Sequence, residues 1–351
     1  MKKLLLIFIM FFSCNIYVFA SVDSAYEYVL MDADSGQVIL GKKYHTPLLI
    51  ASITKIMTCI LAIESGKVND MVEVSDVIHE SYGSGIYIEV GEKIKLLDLL
   101  YGLMLRSGND AALMVSSYVA GDVDSFVHMM NQKAIELGMA HTDFVNPSGL
   151  DNSDRGNYST AYDMALLTRY AMKNKIYRDI VQTKSYTVKT NKKTYVWKNK
   201  NKLLQEEYIT GGKTGYTEKA LRTLVSTASS DNMNFIVVTL RDSDDWNTHK
   251  DLYQYAFSHY ASYLVMNKNK FRVIGDTYYY GNFYIKNPIY LTLKKDTKDS
   301  LIGRVLLFRK KSYKNHDVVG EYQVYLGNKL MHTESIYIKD INLKKKRFGL
   351  I

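Results

Sequence analysis

The run Ile50-Ala51-Ser52-Ile53-Thr54-Lys55-Ile56-Met57-Thr58-Cys59-Ile60-Leu61-Ala62-Ile63 sets a Ser-x-x-Lys motif at the head of an apolar segment. Ile53, Ile56, Met57, Ile60 and Ile63 fall mostly at helical spacing, which predicts a helix from Ile53 with the motif just inside its start. Two further motifs follow in order, Ser107-Gly108-Asn109 and Lys213-Thr214-Gly215. Each alone is an ordinary turn. Ser-x-Asn also occurs at Ser13-Cys14-Asn15 and Ser230-Asp231-Asn232, but only the Ser107 copy lies between the other two motifs. Their order along the chain describes a serine acyl-transfer site.

A serine hydroxyl is a weak nucleophile near neutral pH and needs a base within hydrogen-bond reach. Ser52 and Lys55 are three apart and share a helix face. Burial beside another cation, such as Lys213, would lower the Lys55 pKa and free its amine to accept a proton. Gly108 would permit the tight backbone that aims the Ser107 hydroxyl and the Asn109 amide inward, with Ser107 passing a proton to the leaving amine. Asn109 would accept from Lys55 and donate to a substrate carbonyl. Lys213 and Thr214 on an edge strand, facing the cleft, suit a substrate carboxylate, and Gly215 would let a substrate backbone pair closely. The N–H groups of Ser52 and Tyr216 would form the oxyanion hole.

Other chemistries lack their residues. There is no His-Glu-x-x-His or Cys-His cluster, no Gly-x-Ser-x-Gly elbow and no Gly-rich phosphate loop, so no metal or cofactor is expected. His249 is read as a helix-start packing residue, and Cys59 as a buried, inert thiol. With Cys14 in the leader, the mature chain keeps one cysteine and forms no internal disulfide.

Residues 1–20 run from Met1-Lys2-Lys3 through an apolar stretch to Val18-Phe19-Ala20, and read as a cleaved secretory signal rather than a membrane anchor. A catalytic domain is expected over 21–263, a β-rich domain over 268–340 and a basic tail over 341–351. Strands are expected at Tyr26–Met31, Val38–Leu40, Leu221–Ala228 and Asn234–Leu240, with helices at Leu96–Leu105, Ala111–Val119, Val127–Leu137 and Asn247–Tyr260. Thr142–Ser159, rich in Asn, Asp, Ser and Gly, reads as a surface loop. The C-terminal strands are expected at Tyr278–Ile285, Tyr290–Leu293, Arg304–Phe308, Glu321–Tyr325 and Ser335–Ile338.

The charge is uneven. Residues 261–351 hold 18 Lys and Arg against 7 Asp and Glu, whereas residues 21–260 carry a net charge of −4. A basic end on an exported protein points to an anionic membrane or wall surface and away from nucleic acid.

The chain resembles the D-alanyl-D-alanine carboxypeptidases among the low-molecular-mass penicillin-binding proteins. The resemblance extends past the motifs to Asp98–Ala112, Asn146-Pro147-Ser148-Gly149-Leu150, Tyr158-Ser159-Thr160-Ala161 and Gly212–Thr217. It implies an α+β fold: a penicillin-recognising, β-lactamase/transpeptidase-like domain with an antiparallel sheet flanked by helices, plus a small all-β C-terminal domain. It also implies attack by Ser52 on the D-Ala–D-Ala bond of a peptidoglycan stem peptide, with Lys55 as proton acceptor, Ser107 as relay, Asn109 positioning, and Lys213 with Thr214 holding the carboxylate. Penicillins would acylate Ser52. Leu221 stands where the family pattern has glycine, and the residues after Ile338 do not read as the family's long amphipathic anchor helix, so firm membrane attachment is not expected from them.

Three rivals remain on the same residues. A class A β-lactamase needs a glutamate for deacylation, and no Glu-x-x-Leu-Asn lies between Asn109 and Lys213. A transpeptidase or endopeptidase would share every motif. A non-catalytic wall-binding or β-lactam-sensing module would be favoured by loss of a catalytic residue, and none is lost.

Overall fold

A computed structural model describes residues 22–151, 155–297 and 301–341. The expected signal over 1–20 lies outside these residues, as does the expected basic tail beyond residue 341. Ala25–Asp32 (β1), Val38–Lys42 (β2), Ile209–Thr217 (β3), Leu221–Ser230 (β4) and Met233–Asp242 (β5) form one antiparallel sheet in the order β2-β1-β5-β4-β3. β5 carries Phe235-Ile236-Val237-Val238, a continuous apolar run, because both faces of the sheet are covered.

The alternation of side chains along each strand assigns the two faces. Val29, Met31, Val225, Ile236 and Val238 pack against the helices Lys55–Glu64 (α1) and Ala161–Ala171 (α2). Leu30, Leu224, Phe235 and Val237 pack against Leu252, Tyr253 and Ala256 of the helix Asp245–His259 (α3). His249 is buried between α3 and the sheet, with Nδ1 2.6 Å from Ser226 Oγ and Nε2 3.1 Å from Thr239 Oγ1. Burial lowers its pKa to about 3, so it packs as a neutral ring.

The remaining helices, Leu96–Tyr101, Asn109–Ala120, Val123–Glu136 and Lys175–Gln182, gather on the α1 side as a helical lobe. The expected helix over Asn247–Tyr260 starts earlier and ends at His259. Tyr260–Met266 is instead a strand, paired with Ile289–Lys294. Beyond it, Asn282–Tyr284, Lys329–Lys339, Val318–Leu326 and Leu301–Leu307 form a four-stranded antiparallel sheet with its own core of Phe283, Val319, Val324, Ile336 and Ile338. The expected strand Tyr278–Ile285 shortens to Asn282–Tyr284, because Asp276 accepts the N–H groups of Tyr278 and Tyr279 in a turn.

Glu27 of β1 is buried between sheet and helical lobe. Its Oε1 accepts from the Ala161 N–H at 2.6 Å, at the start of α2, and its Oε2 has no partner among the described residues. Burial raises the carboxyl to about 8, against the pull of the Ala161 N–H, and Asp163 raises it further. The folded protein therefore holds a proton that the unfolded chain releases near pH ~4.3, so stability falls as pH rises from there to about 8. Glu27→Gln keeps an acceptor and removes the ionisation. Its melting temperature is expected to fall less between pH 5 and pH 8 than the wild type's, and equal slopes in the two proteins would exclude this.

Candidate active site

The first motif does not sit inside an α-helix. Ala51–Thr54 is a 3-10 turn and α1 begins at Lys55, while Ala51 takes a left-handed backbone at φ 48°. In a 3-10 turn, residues i and i+3 eclipse, which stacks Lys55 over Ser52. Lys55 Nζ lies 3.1 Å from Ser52 Oγ, 2.8 Å from Asn109 Oδ1 and 2.5 Å from the Ser148 carbonyl. Asn109 Oδ1 and the Ser148 carbonyl only accept, so each holds an N–H. A neutral Lys55 then directs its lone pair at Ser52 Oγ.

Lys55 is fully buried, and burial lowers its pKa to about 7; Lys200 lowers it further and Asp110 opposes. Lys200 thus joins the expected Lys213, which is coupled to Lys55 by like-charge repulsion. The Cys59 thiol, one turn on, is buried and pushed up by burial, out of reach of thiolate chemistry.

The expected helix Leu96–Leu105 is α-helical only to Tyr101. Gly102–Arg106 widens to a π-turn that ends on Ser107 at φ 65°. The left-handed residue is Ser107 itself, whereas Gly108 has φ −61° and needs no glycine for its backbone. Gly108 is small for packing: a Cβ there would meet Asp110 Oδ1 at 2.9 Å and Ile86 at 3.0 Å. A non-glycine residue held in the left-handed region, at the end of a π-turn, is strain of the kind that gathers at functional sites. Asn109 also donates through Nδ2 to the Tyr82 carbonyl at 2.6 Å, leaving one amide hydrogen. Asp110 accepts from the N–H groups of Ile86 and Tyr87 and so fixes the loop over the site.

The third motif lies on β3, which is a sheet edge. Lys213 does not line the cleft. It is buried beneath it, on the α1 face opposite Val225, and donates to Ser107 Oγ at 3.0 Å and to the Thr214 carbonyl at 2.6 Å. Its pKa is held well below the usual lysine range by burial, then by Lys55 and Lys200. The use of Gly215 also differs from the expectation. A Cβ there would meet Thr223 Oγ1 at 2.3 Å and the Ser52 nitrogen at 3.0 Å, so glycine lets β3 run against the turn that carries Ser52. Leu221, in place of the family's glycine, enters β4 at φ 58° as an exposed residue.

The supposed surface loop Thr142–Ser159 turns its polar groups inward. Thr58 Oγ1 donates to the Pro147 carbonyl at 2.6 Å, Asn157 Nδ2 donates to Thr54 Oγ1 at 2.9 Å, and Asn146 Oδ1 accepts from the Gly149 N–H at 2.7 Å. Gly149 has φ 81°, and a Cβ on it would sit 1.9 Å from the Ala51 carbonyl. Gly149→Ala combines strain with a backbone clash and is expected to cost at least about 2 kcal/mol. That lowers the melting temperature by roughly 4–8 °C. An unchanged melting temperature would refute the close approach.

A cleft of about 530 Å³ opens over these groups, lined by Ser52, Ser107, Thr214, Gly215 and Tyr216 of the motifs and by Lys200, Arg222, Asp245 and Trp246, which the motif analysis did not identify. Lys200 sits in the alternating basic run Lys198-Asn199-Lys200-Asn201-Lys202, which reads as a solvated face until the fold brings it to the site. Among the described residues no cluster of three or more His, Cys, Asp or Glu could hold a metal.

Comparison with known proteins matches this arrangement. The family profile of D-alanyl-D-alanine carboxypeptidases covers residues 19–244. The D-alanyl-D-alanine carboxypeptidase DacF of Bacillus subtilis is 33% identical over 252 residues, which span 69% of this chain and 64% of that protein. The crystal structure of penicillin binding protein 5 from Haemophilus influenzae superimposes with a TM-score of 0.71 at 25% identity, covering 91% of this chain and 97% of the other. A Streptomyces K15 DD-transpeptidase mutant superimposes with a TM-score of 0.64 at 30% identity over 67% of this chain and 98% of its own.

Proposed function

The chain belongs to the D-alanyl-D-alanine carboxypeptidase family, and from that premise we propose that it removes the terminal D-alanine from peptidoglycan stem pentapeptides through an acyl-enzyme on Ser52. The observation that carries the reading is Lys55: a buried amine with two fixed acceptors and its third position on Ser52 Oγ. Neutral Lys55 takes the Ser52 proton as Oγ attacks the D-Ala–D-Ala carbonyl. The oxyanion lies between the N–H groups of Ser52 and Tyr216, a pairing favoured by the close run of Gly215 beside the Ser52 nitrogen. As the C–N bond breaks, Ser107 gives its hydroxyl proton to the departing D-alanine amine and takes a replacement from the Lys213 ammonium that donates to its Oγ. Lys213 acts from beneath through Ser107, and Thr214 and Lys200 face the terminal carboxylate from the cleft wall. Asn109 holds Lys55 and keeps one N–H for a substrate carbonyl. Water then hydrolyses the acyl-enzyme. Penicillins acylate Ser52 as substrate mimics and stay bound.

The catalytic unit is proposed to span 21–263 and the β-rich unit 268–340, a division supported by their separate hydrophobic cores, with the strand Tyr260–Met266 as the join. A substrate in the wall places the mature enzyme outside the cytoplasm. Among the described residues no helix is long and apolar enough to cross a membrane. The basic surplus of residues 261–351 supports peripheral contact with an anionic membrane or wall polymer.

The test is D-alanine release from a D-Ala–D-Ala pentapeptide by the purified protein, with and without a D-amino acid acceptor. Release without acceptor supports the carboxypeptidase. Transfer to the acceptor with little hydrolysis would move the reading to a transpeptidase, the activity named for the K15 structure.

A further inference from the structure

A pocket of about 250 Å³ opens at the other end of the central sheet and shares no lining residue with the cleft over Ser52. Thr227 of β4 lines it. Thr223 of the same strand donates to the Ile50 carbonyl beside the first motif. The four residues between them, at about 3.3 Å each, set the pocket roughly 13 Å along the strand from that contact.

Among the described residues, the cations Arg169, Lys173 and Arg178 line this pocket against one carboxylate, Asp34, whose Oδ2 already accepts from Asn234 Nδ2 at 2.9 Å. The concentration runs against its surroundings, because residues 21–260 carry more acidic than basic side chains. Both arginines are held by backbone. Arg169, near the end of α2, donates through Nε to the Ala33 carbonyl at 2.7 Å and through Nη2 to the Asp34 carbonyl at 2.6 Å. Arg178, on the helix Lys175–Gln182, donates through Nη1 to the Met172 and Lys173 carbonyls at 2.7 and 2.9 Å, where the end of α2 leaves carbonyls without helical partners. A guanidinium has five N–H groups, and these contacts occupy only part of each fork. The exposed Lys173 ammonium has no polar partner among the described residues. Thr210 Oγ1 and the buried Thr227 Oγ1 lie 2.8 Å apart; one hydrogen bridges the pair and the other finds only the Met172 sulfur, 3.9 Å from Thr227.

Capping the end of α2 explains one edge of Arg178. It does not call for Lys173, or for arginines from two helices around one concavity. Fixed forks on two helices, an ammonium and a hydroxyl reach a ligand from different directions. A carboxylate presents its two oxygens in one plane, whereas a tetrahedral phosphate presents acceptors to all of these donors. We infer that this pocket binds a phosphate group, held by Arg169, Arg178 and Lys173, at a site separate from the acyl-transfer cleft. The site goes beyond the carboxypeptidase reading and does not depend on it. A phosphate there ties the β1–β2 turn to α2 and the helix after it, so binding should stabilise the fold.

The test is calorimetric titration of the full protein with inorganic phosphate, together with its melting temperature in phosphate, chloride and acetate at equal ionic strength. Phosphate should bind and should raise the melting temperature above both controls. Lys173→Glu reverses an exposed charge that has no polar partner, so it should melt as the wild type does in chloride and bind phosphate at least about tenfold more weakly. Arg178→Lys keeps the charge but loses the fork, and should weaken binding by about 3–10-fold. Lys200→Gln, in the cleft, should leave phosphate binding unchanged. Absence of phosphate binding, acetate acting as well as phosphate, affinity unaffected by Lys173→Glu, or affinity lost in Lys200→Gln would each overturn the proposal. Phosphatidylglycerol vesicles identify the source of the phosphate. Vesicle binding that falls in Lys173→Glu makes it a lipid headgroup, and vesicle binding unchanged by a substitution that abolishes phosphate binding makes it a soluble anion.

Discussion

Ser52→Ala is expected to release D-alanine from a D-Ala–D-Ala pentapeptide at least about 10⁴-fold more slowly than the wild type, and to lose covalent labelling by a fluorescent penicillin. The size follows from the arrangement. Lys55 has its two fixed N–H bonds to Asn109 and Ser148 whether or not Ser52 keeps its hydroxyl. Removing Oγ therefore takes away the nucleophile and leaves the surrounding scaffold in place. Thermal melting near the wild-type value would show that the loss is chemical. Release by both proteins would mean that another group attacks the peptide, and the assignment of Ser52 would fall.

The second large effect is on pH. Burial, reinforced by the Lys200 charge, brings the Lys55 pKa down to about 7. The base form of Lys55 is the neutral amine, so acylation should rise about tenfold per pH unit below this value and level off above it. Lys55→Arg substitutes a group that stays protonated at every pH of the assay, and is expected to lose at least about 10³-fold with no recovery at high pH. Lys200→Gln removes a positive charge that disfavours the Lys55 cation. The Lys55 pKa then rises, and the inflection should move to higher pH. Single-turnover acylation by penicillin from pH 5.5 to 9 reads all three. A flat wild-type profile, or an inflection that moves down in Lys200→Gln, would remove Lys55 from the role of general base.

Lys213 shares this burial and carries the same electrostatic cost. Burial depresses both lysines, with Lys200 acting on both and Lys55 coupled to Lys213, so the cationic forms beneath the cleft are held at a cost. An anion entering the cleft favours those cationic forms, and the terminal carboxylate of the proposed substrate would supply one. The stability lost to the buried amines is thus coupled to substrate binding, which is why a purely apolar core at these positions would pack more easily and catalyse nothing.

The motif order, the apolar period of α1 and the β-branched runs of β4 and β5 are local properties, and from them the sequence by itself pointed to a serine acyl-transfer site, a helix behind the first motif and a strand–turn–strand, while the helix-flanked antiparallel sheet followed from the family resemblance. It also determined that Ser52 and Lys55 lie together, since three residues of helical backbone of either kind bring them to one face. The tertiary structure alone decided which groups surround that pair. Ser148 offers its carbonyl from 93 residues away and Asn109 its amide oxygen from 54, contacts with no periodic signature. It added Lys200 to Lys213 as a charge that acts on Lys55, buried Lys213 below the cleft, and turned the polar stretch around Asn146 and Asn157 inward. It also moved the strained backbone from Gly108 to Ser107 and Ala51, because packing can hold a serine or alanine in a conformation that local propensity would give to glycine. The physical reason is one of range: secondary structure answers to neighbours a few residues away, whereas a pKa, a buried carbonyl and a cleft wall answer to whatever the folded chain brings within about 4 Å.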